Sequence, residues 1–300
     1  MAVDVLCIGH AAFDNSLFLD GFPRENQKLE IADLCSGGGG PAANAACLLG
    51  RWGVACAFAG VVGDDRYGQQ LRAEFESAGV ETSCLEVRPG HVTPVSTILV
   101  NTRNGSRTII NRKAATAPLA LPPGALARLA PRVILADGHE LPAALAALEA
   151  WPQALSILDA GSQREGTLGL AGAVTALVAS ERFALQVTGR GDLQSEGAQR
   201  DALRVLQERF APRVVVVTLG ERGLIADWGE GFHSRPAEAV VAVDTTGAGD
   251  IFHGAVAYGA LQGWAWPAIL DLASRAAALS VTRRGGRQSI PRLAEALPAE

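Results

Sequence analysis

Short apolar runs, each ended by a glycine, a proline or a charge, alternate along this chain with longer stretches of helical periodicity. Residues 3–9 form the first run and read as a buried strand ending at Gly9. Residues 54–59, 133–136, 155–158, 173–178 and 214–218 repeat that type. Between them, residues 41–50, 67–78, 141–150 and 198–210 carry helical patterns, and residues 249–262 and 267–280 make the C-terminal part helical. Strands of this kind separated by helices predict parallel pairing under crossover helices. Residues 224–228 and 231–234 read as a hairpin closing the series.

One region breaks the alternation. Residues 95–101 and 107–111 are rich in β-formers and flank Asn104-Gly105, a strong hairpin signal. No helix separates them. With residues 13–21 and the weaker, more polar strand candidate 26–34, they predict a small sheet outside the main layer. Residues 118–124 are a turn-rich joint, not a boundary. The expectation is one domain over 1–300, with the small sheet drawn from segments near 13–36 and 91–111.

Composition narrows the classes. Of 300 residues, 48% are hydrophobic and 19% charged, enough for a large core and against disorder. The net charge of −5 comes without a long Lys/Arg block, so neither nucleic acid nor an anionic membrane is an expected partner. The first residues lack the basic head and apolar run of a signal peptide, and other apolar stretches break before membrane-spanning length. Cys7, Cys35, Cys47, Cys56 and Cys84 are odd in number and contain no Cys-x-x-Cys. They read as thiols of a reducing cytoplasm, not as a disulfide framework or zinc site. The histidines at 10, 91, 139, 233 and 253 form no ligand motif.

Three segments carry candidate chemistry. In Asp244-Thr245-Thr246-Gly247-Ala248-Gly249-Asp250, a strand-like stretch at 240–243 leads in and a helix leads out. Gly247 and Gly249 allow close backbone approach to an anion, and amides near Ala248 and Gly249 would face phosphoryl oxygens. Asp250 would accept a hydroxyl proton as the alcohol attacks a γ-phosphate; the alternative is a helix cap after a tight turn. The glycine loop 37–40 followed by Asn44 brings bare backbone and a two-way hydrogen-bonding amide to something, or is a flexible surface loop. Thr218-Leu219-Gly220-Glu221-Arg222-Gly223 follows four valines and fits a nucleotide edge or an ordinary turn. Neither a P-loop motif nor a dinucleotide fingerprint after the first strand is present.

Together these segments resemble the ribokinase-like, or PfkB, carbohydrate kinases. Gly39-Gly40-Pro41-Ala42-Ala43-Asn44 is similar to that family's N-terminal signature, Val61-Val62-Gly63-Asp64-Asp65 with Tyr67-Gly68 to its next block, and 244–250 to its C-terminal signature. The resemblance spans about residues 3–291. It implies a three-layer α/β sandwich with a central, mostly parallel sheet and a small β lid over the sugar. It implies Asp250 as catalytic base, Ala248 and Gly249 as the anion hole, and Gly247 beside them in the same catalytic loop. Asp14, Gly39, Gly40 and Asn44 would contact the sugar. Thr218, Gly220 and Gly223 would lie by the ATP. Arg164 is a phosphate candidate, or a surface salt bridge. Within the family, residues 37–46, Thr108-Ile109-Ile110-Asn111, Leu135-Ala136-Asp137 and residues 282–287 look most like ketose kinases, especially sulfofructose kinase. There, Lys28 and Asn111 match two sulfonate contacts, while His139 stands where an arginine is expected.

The resemblance also implies cations. Mg²⁺ accompanies ATP. Where many relatives carry Asn-x-x-Glu, this chain has Ser180-Glu181-Arg182-Phe183. Ser180 takes the place of the Asn, and Glu181 acts on Mg²⁺ through water or is a helix-start acid. K⁺ would sit between Asp244 and Thr246 on one loop and Ser280, Arg283, Gly285 and Ser289 on another, unless Arg283 or Arg284 supplies the charge or the loop is merely solvated. The lid could pair with a second copy to give a homodimer. The expected acceptor is the terminal CH₂OH of a ketose or modified ketose; a sugar-phosphate kinase, a nucleoside kinase and a non-catalytic sugar-binding regulator stay open as alternatives.

Overall fold

The computed structural model describes residues 2–298 apart from 114, 122, 123 and 125–127. The turn-rich joint at 118–124 therefore lies partly outside the described residues.

The strands of the main layer are β1 (Val5–Ile8), β4 (Cys56–Gly63), β5 (Val80–Glu81), β6 (Leu85–Arg88), β9 (Val133–Ala136), β10 (Leu155–Ala160), β11 (Ala176–Ser180), β12 (Val214–Thr218), β13 (Leu224–Asp227) and β14 (His233–Arg235). Their order is β14-β13-β12-β11-β10-β9-β1-β4-β5, with β6 also on β4. Pairing is parallel from β12 to β5, and the last two strands turn back antiparallel. Both faces are buried, which is why these strands read as continuous apolar runs. Alternate residues serve opposite faces. Val5, Cys7, Phe58 and Leu135 join one core with α1 (Pro41–Arg51), α2 (Arg66–Ser77), α7 (Ala248–Leu261) and α8 (Trp266–Val281). Leu6, Ile8, Ala57 and Ile134 join the other, with α3 (Leu141–Ala150), α4 (Glu165–Ala171), α5 (Glu181–Thr188) and α6 (Glu196–Phe210). A short α9 (Leu293–Ala296) ends the series. The result is the expected three-layer sandwich.

The second sheet is also as expected: β3 (Leu34–Gly39), β2 (Ala12–Leu19), β7 (Val95–Asn101) and β8 (Arg107–Arg112), in that order. Gly105, at the hairpin tip, adopts φ +69°, the left-handed region that the Asn-Gly signal anticipates.

Four readings change. The glycine run is not a loop, because residues 37–39 pair with Asp14, Phe13 and Ala12 as the end of β3. Of 26–34, only Leu34 is in a strand, and the rest is irregular and largely exposed. Residues 240–243 form no strand. Val241 is 84% exposed, and the Val243 and Asp244 amides both donate to the Val281 carbonyl. The strand expected at 173–178 is β11, at 176–180, where Val214–Thr218 sets its register.

Candidate active site

The chain leaves β1 toward β4 on one side of the sheet and then builds β9, β10, β11 and β12 outward on the other. The β1–β9 junction is thus a topological switch point, where a crevice opens beyond the strand ends. Asp137, just after β9, closes the base of this crevice. Its carboxylate accepts from the backbone amides of His10 (2.8 Å), His139 (2.9 Å) and Ala42 (3.2 Å).

α7 points its N-terminus at this crevice. Gly247 precedes it at φ +76° with no side-chain cap, so the amides of the first turn face outward. A Cβ on Gly249 would meet nothing within 4 Å, so the space before this turn is open. Asp250, in the same turn, accepts from Asn44 Nδ2 at 2.7 Å. Burial first, then the Asp159 carboxylate, raises its pKa to about 7, against the lowering effect of the Asn44 bond. Beneath it, His253 packs Nδ1 2.6 Å from the Gly249 carbonyl and 3.3 Å from Asp159, with Nε2 3.1 Å from the Val178 carbonyl.

The lid supplies the facing wall. Asp14 lies opposite Gly37 on β3 and Ser96 on β7, and Ser96 lies opposite Asn111 on β8. Directly opposed residues share a face, so Asp14, Ser96 and Asn111 line the lid together. Burial pushes the Asp14 carboxyl up to about 6, moderated by the Ser96 hydrogen bond and the Arg287 charge. A Cβ on Gly39 would sit 1.9 Å from the Asp14 carboxylate, and one on Gly40 would strike the His10 carbonyl at 2.2 Å. Lys28 is exposed, on the irregular segment that joins β2 to β3.

Further along the sheet, Ser180 and Thr218 end β11 and β12 side by side. Gly220 (φ +63°) and Gly223 (φ +91°) shape the turn that follows. Ser180 caps α5 by accepting from the Phe183 amide at 3.1 Å and donates to the Gly161 carbonyl at 2.8 Å. The Glu181 carboxylate is paired with Arg222. Arg164 is not a surface salt bridge: its side chain turns back to His139 Nε2 and to the Asp137 carbonyl, 3.3 Å away.

The loop after α8 meets the loop before α7. Buried Asp244 accepts from the amides of Thr246 and Gly285, each at 2.9 Å. Thr246 Oγ1 is buried with no hydrogen-bond partner. Ser280 and Ser289 are buried nearby in sequence, their hydroxyls donating to the Ala277 and Gly286 carbonyls at 2.7 Å. Arg283 is pulled away to Glu295 (2.8 Å) and Arg284 to Asp33, so neither guanidinium is free to replace a cation between the loops.

Sequence reasoning missed Arg287. It is only 1% exposed and donates from Nε to Asn44 Oδ1 (3.0 Å) and from Nη1 to Glu74 (2.9 Å). Its signal was faint, an arginine within a basic, glycine-containing tail. It also missed Lys113, just beyond β8.

The comparisons agree with this fold. The pfkB family carbohydrate kinase profile matches residues 2–293. The ATP-dependent ribose-1-phosphate kinase of Halopiger xanaduensis is 28% identical, over 96% of this chain and 95% of its own length. A crystal structure of a candidate ribokinase from Agrobacterium tumefaciens is 31% identical, with a TM-score of 0.86 over 99% of this chain and 96% of that one. The ribokinase of Arabidopsis thaliana, solved with ribose and ATP, shares the fold at TM-score 0.83 and 22% identity, covering 99% and 98%. Fold and crevice define a phosphotransferase of small molecules. The chain belongs to the pfkB family of carbohydrate kinases and is an ATP-dependent enzyme of that type.

Proposed function

We propose that this kinase transfers the γ-phosphoryl group of ATP to an alcohol group of a sugar, the terminal CH₂OH of a ketose or modified ketose. The observation that carries the reading is the Asp250 carboxylate. It stands in the uncapped first turn of α7, held by Asn44 and poised near neutrality. A base with a pKa close to working pH is both ionised and basic enough to take a hydroxyl proton. As that hydroxyl attacks phosphorus, its proton passes to Asp250, and charge on the moving phosphoryl group faces the Ala248 and Gly249 amides. Asp14 and Asn44 hold sugar hydroxyls, with Gly39 and Gly40 keeping the pocket wall bare. The nucleotide lies along Ser180, Thr218, Gly220 and Gly223.

Mg²⁺ neutralises phosphate charge when it arrives with ATP. Among the described residues no group of three or more His, Cys, Asp or Glu would hold a metal, and Mg²⁺ would come in on the nucleotide, with Glu181, paired to Arg222, acting on it through water. A monovalent cation fits better. The orphaned Thr246 oxygen and inward-facing Asp244 are hard ligands, and K⁺ between them would stiffen the 246–249 backbone. Gly285, Ser280 and Ser289 would complete that site, and Arg283 would not.

A sugar phosphate is the second reading, favoured by the full-length likeness to the Halopiger enzyme. A coupled assay of ADP release across ketoses, aldoses, their phosphates and nucleosides ranks the acceptors. With the best of them, Asp250→Asn is expected to lower turnover by ~10²–10⁴-fold while leaving ATP affinity nearly intact. Turnover within a few-fold of wild type would sink the assignment.

A further inference from the structure

We infer that the sugar pocket contains a subsite for an anionic group on the substrate, built from Arg164 and Lys113 beside His139 and His10. The inference rests on the kinase reading above and names its substrate class: a sugar bearing a phosphate, sulfonate or carboxylate.

Arg164 lies between β10 and α4, yet its side chain turns back to the switch-point crevice. One terminal nitrogen donates to the Asp137 carbonyl at 3.3 Å and the other contacts His139 Nε2. Nε is buried and donates to nothing. Among the described residues no carboxylate is within ion-pair distance of this guanidinium. The nearest candidate, Asp137, already accepts from three backbone amides. A partly buried guanidinium with an idle donor and no counter-charge is costly unless an anion arrives. Its planar fork matches carboxylate, sulfonate and phosphate oxygens.

Lys113 approaches the same crevice from the lid. Arg112 lies opposite Val95, which lies opposite Phe13. One step further, Lys113 reaches the level of Pro94 and Ala12, where the Phe13 amide bonds the Pro94 carbonyl. Its charge acts on His10 and His139 and is itself felt by Asp14 and Asp137, which puts it at this crevice. Below it, the rings of His10 and His139 stack with centroids 4.5 Å apart. Arg164 can only donate, so His139 Nε2 accepts and that ring is neutral. Burial, then Arg164, then Lys113, hold the His139 pKa down to about 3. Burial and the Arg164 charge also lower that of Lys113. Asp137 and Asp14 offset part of the charge at Lys113, and Asp159 feels that of Arg164, but neither cation is held in an ion pair among the described residues. The nucleotide edge, at the ends of β11 and β12, lies on the other side of β10 from this cluster.

The test compares the wild-type enzyme on matched acceptors: ribose with ribose 1-phosphate and 5-phosphate, fructose with its 1-phosphate and 6-phosphate, and hexoses carrying a sulfonate or carboxylate. One anionic member should exceed its neutral parent in kcat/KM by ~10–100-fold, the worth of a charge-assisted contact. In calorimetry without nucleotide, Lys113→Gln and Arg164→Gln should each weaken binding of that sugar by about the same factor. Both should pull the anionic-to-neutral ratio toward one, and Lys113→Arg should restore part of it. A neutral sugar as best acceptor overturns the subsite. So does an unchanged ratio in both glutamine variants shown by circular dichroism to be folded. A raised KM for ATP alone in Arg164→Gln would assign that guanidinium to the nucleotide and also overturn it. If no acceptor turns over, the kinase reading fails, and the calorimetry still decides whether the anion binds.

Discussion

Asn44 owes its usefulness to Arg287. An amide can present either end, but the guanidinium at Oδ1 can only donate, so Nδ2 is left to donate to Asp250 and the Asn44 orientation is fixed. Arg287 is itself clamped by Glu74 and by the face of Phe75, 4.7 Å from the ring centroid. In Arg287→Met, Glu74 loses its ion-pair partner and keeps only the Gly38 amide. Breaking a buried pair costs about 3–5 kcal/mol, and Glu74's partial exposure puts this case at the lower end, to be read as a lowered melting temperature. Activity should also change shape with pH. In the proposed role Asp250 must be ionised to take the proton, so kcat/KM should rise with pH and level off above about 7. The Asn44 bond lowers that pKa, so freeing the amide moves the acid limb upward. An unchanged limb in a folded variant would detach Arg287 from the base. Stability runs the other way. The folded state holds the Asp250 proton up to about pH 7, whereas the unfolded chain releases it near 4. Stability from this group therefore falls as pH rises between those values. Asp250→Asn should melt above wild type at pH 8, with the margin shrinking toward pH 4.

At the scale of elements, β3 shows why a run of glycines need not be a flexible loop. Gly37, Gly38 and Gly39 are the end of the strand that passes between Arg287 and Asp14. A Cβ on Gly38 would lie 2.0 Å from the Arg287 guanidinium. Gly38→Ala should cost about 1–3 kcal/mol by overpacking and weaken sugar binding as Arg287 shifts off Asn44; equal melting temperature and sugar affinity would refute it. The loops around Asp244 and Gly285 make a second prediction. At fixed ionic strength with saturating Mg²⁺–ATP, K⁺ should raise the initial rate and Li⁺ should do little. Equal rates in K⁺, Na⁺ and Li⁺ would leave Thr246 Oγ1 without a ligand role.

At the scale of the whole molecule, the lid touches the catalytic layer where chemistry is expected. The Gly105 carbonyl at the hairpin tip accepts from Thr245 Oγ1 (2.9 Å) and from its amide (3.2 Å), and Arg107 donates to that hydroxyl at 2.8 Å. Lid position and the loop leading to Asp250 are therefore mechanically joined. β8 is the outer strand of this sheet, exposed along its length, with Ile110 59% accessible. An apolar edge of this kind invites pairing. We expect a homodimer through the lid, seen as a two-chain species in sedimentation at micromolar concentration; monomer alone would remove it. Among the described residues no helix is long and apolar enough to cross a membrane.

The sequence alone determined the layer order, the hairpin and the glycine-aspartate turn, because each rests on interactions among near neighbours: strand and helix periodicity, the Asn-Gly turn, a helix start. Asp14, Asn44 and Asp250 were singled out by their likeness to a family's pattern, and of these Asn44 and Asp250 meet in a hydrogen bond. What only the tertiary structure decided are the long-range pairings. Arg287 meets Asn44 across 243 positions, and Arg164 meets His139 across 25. The strand once expected at 240–243 and the loop once expected at 37–40 exchanged roles. Strand formation depends on a partner at the right register, and the glycines had one in β2 whereas the valines had none.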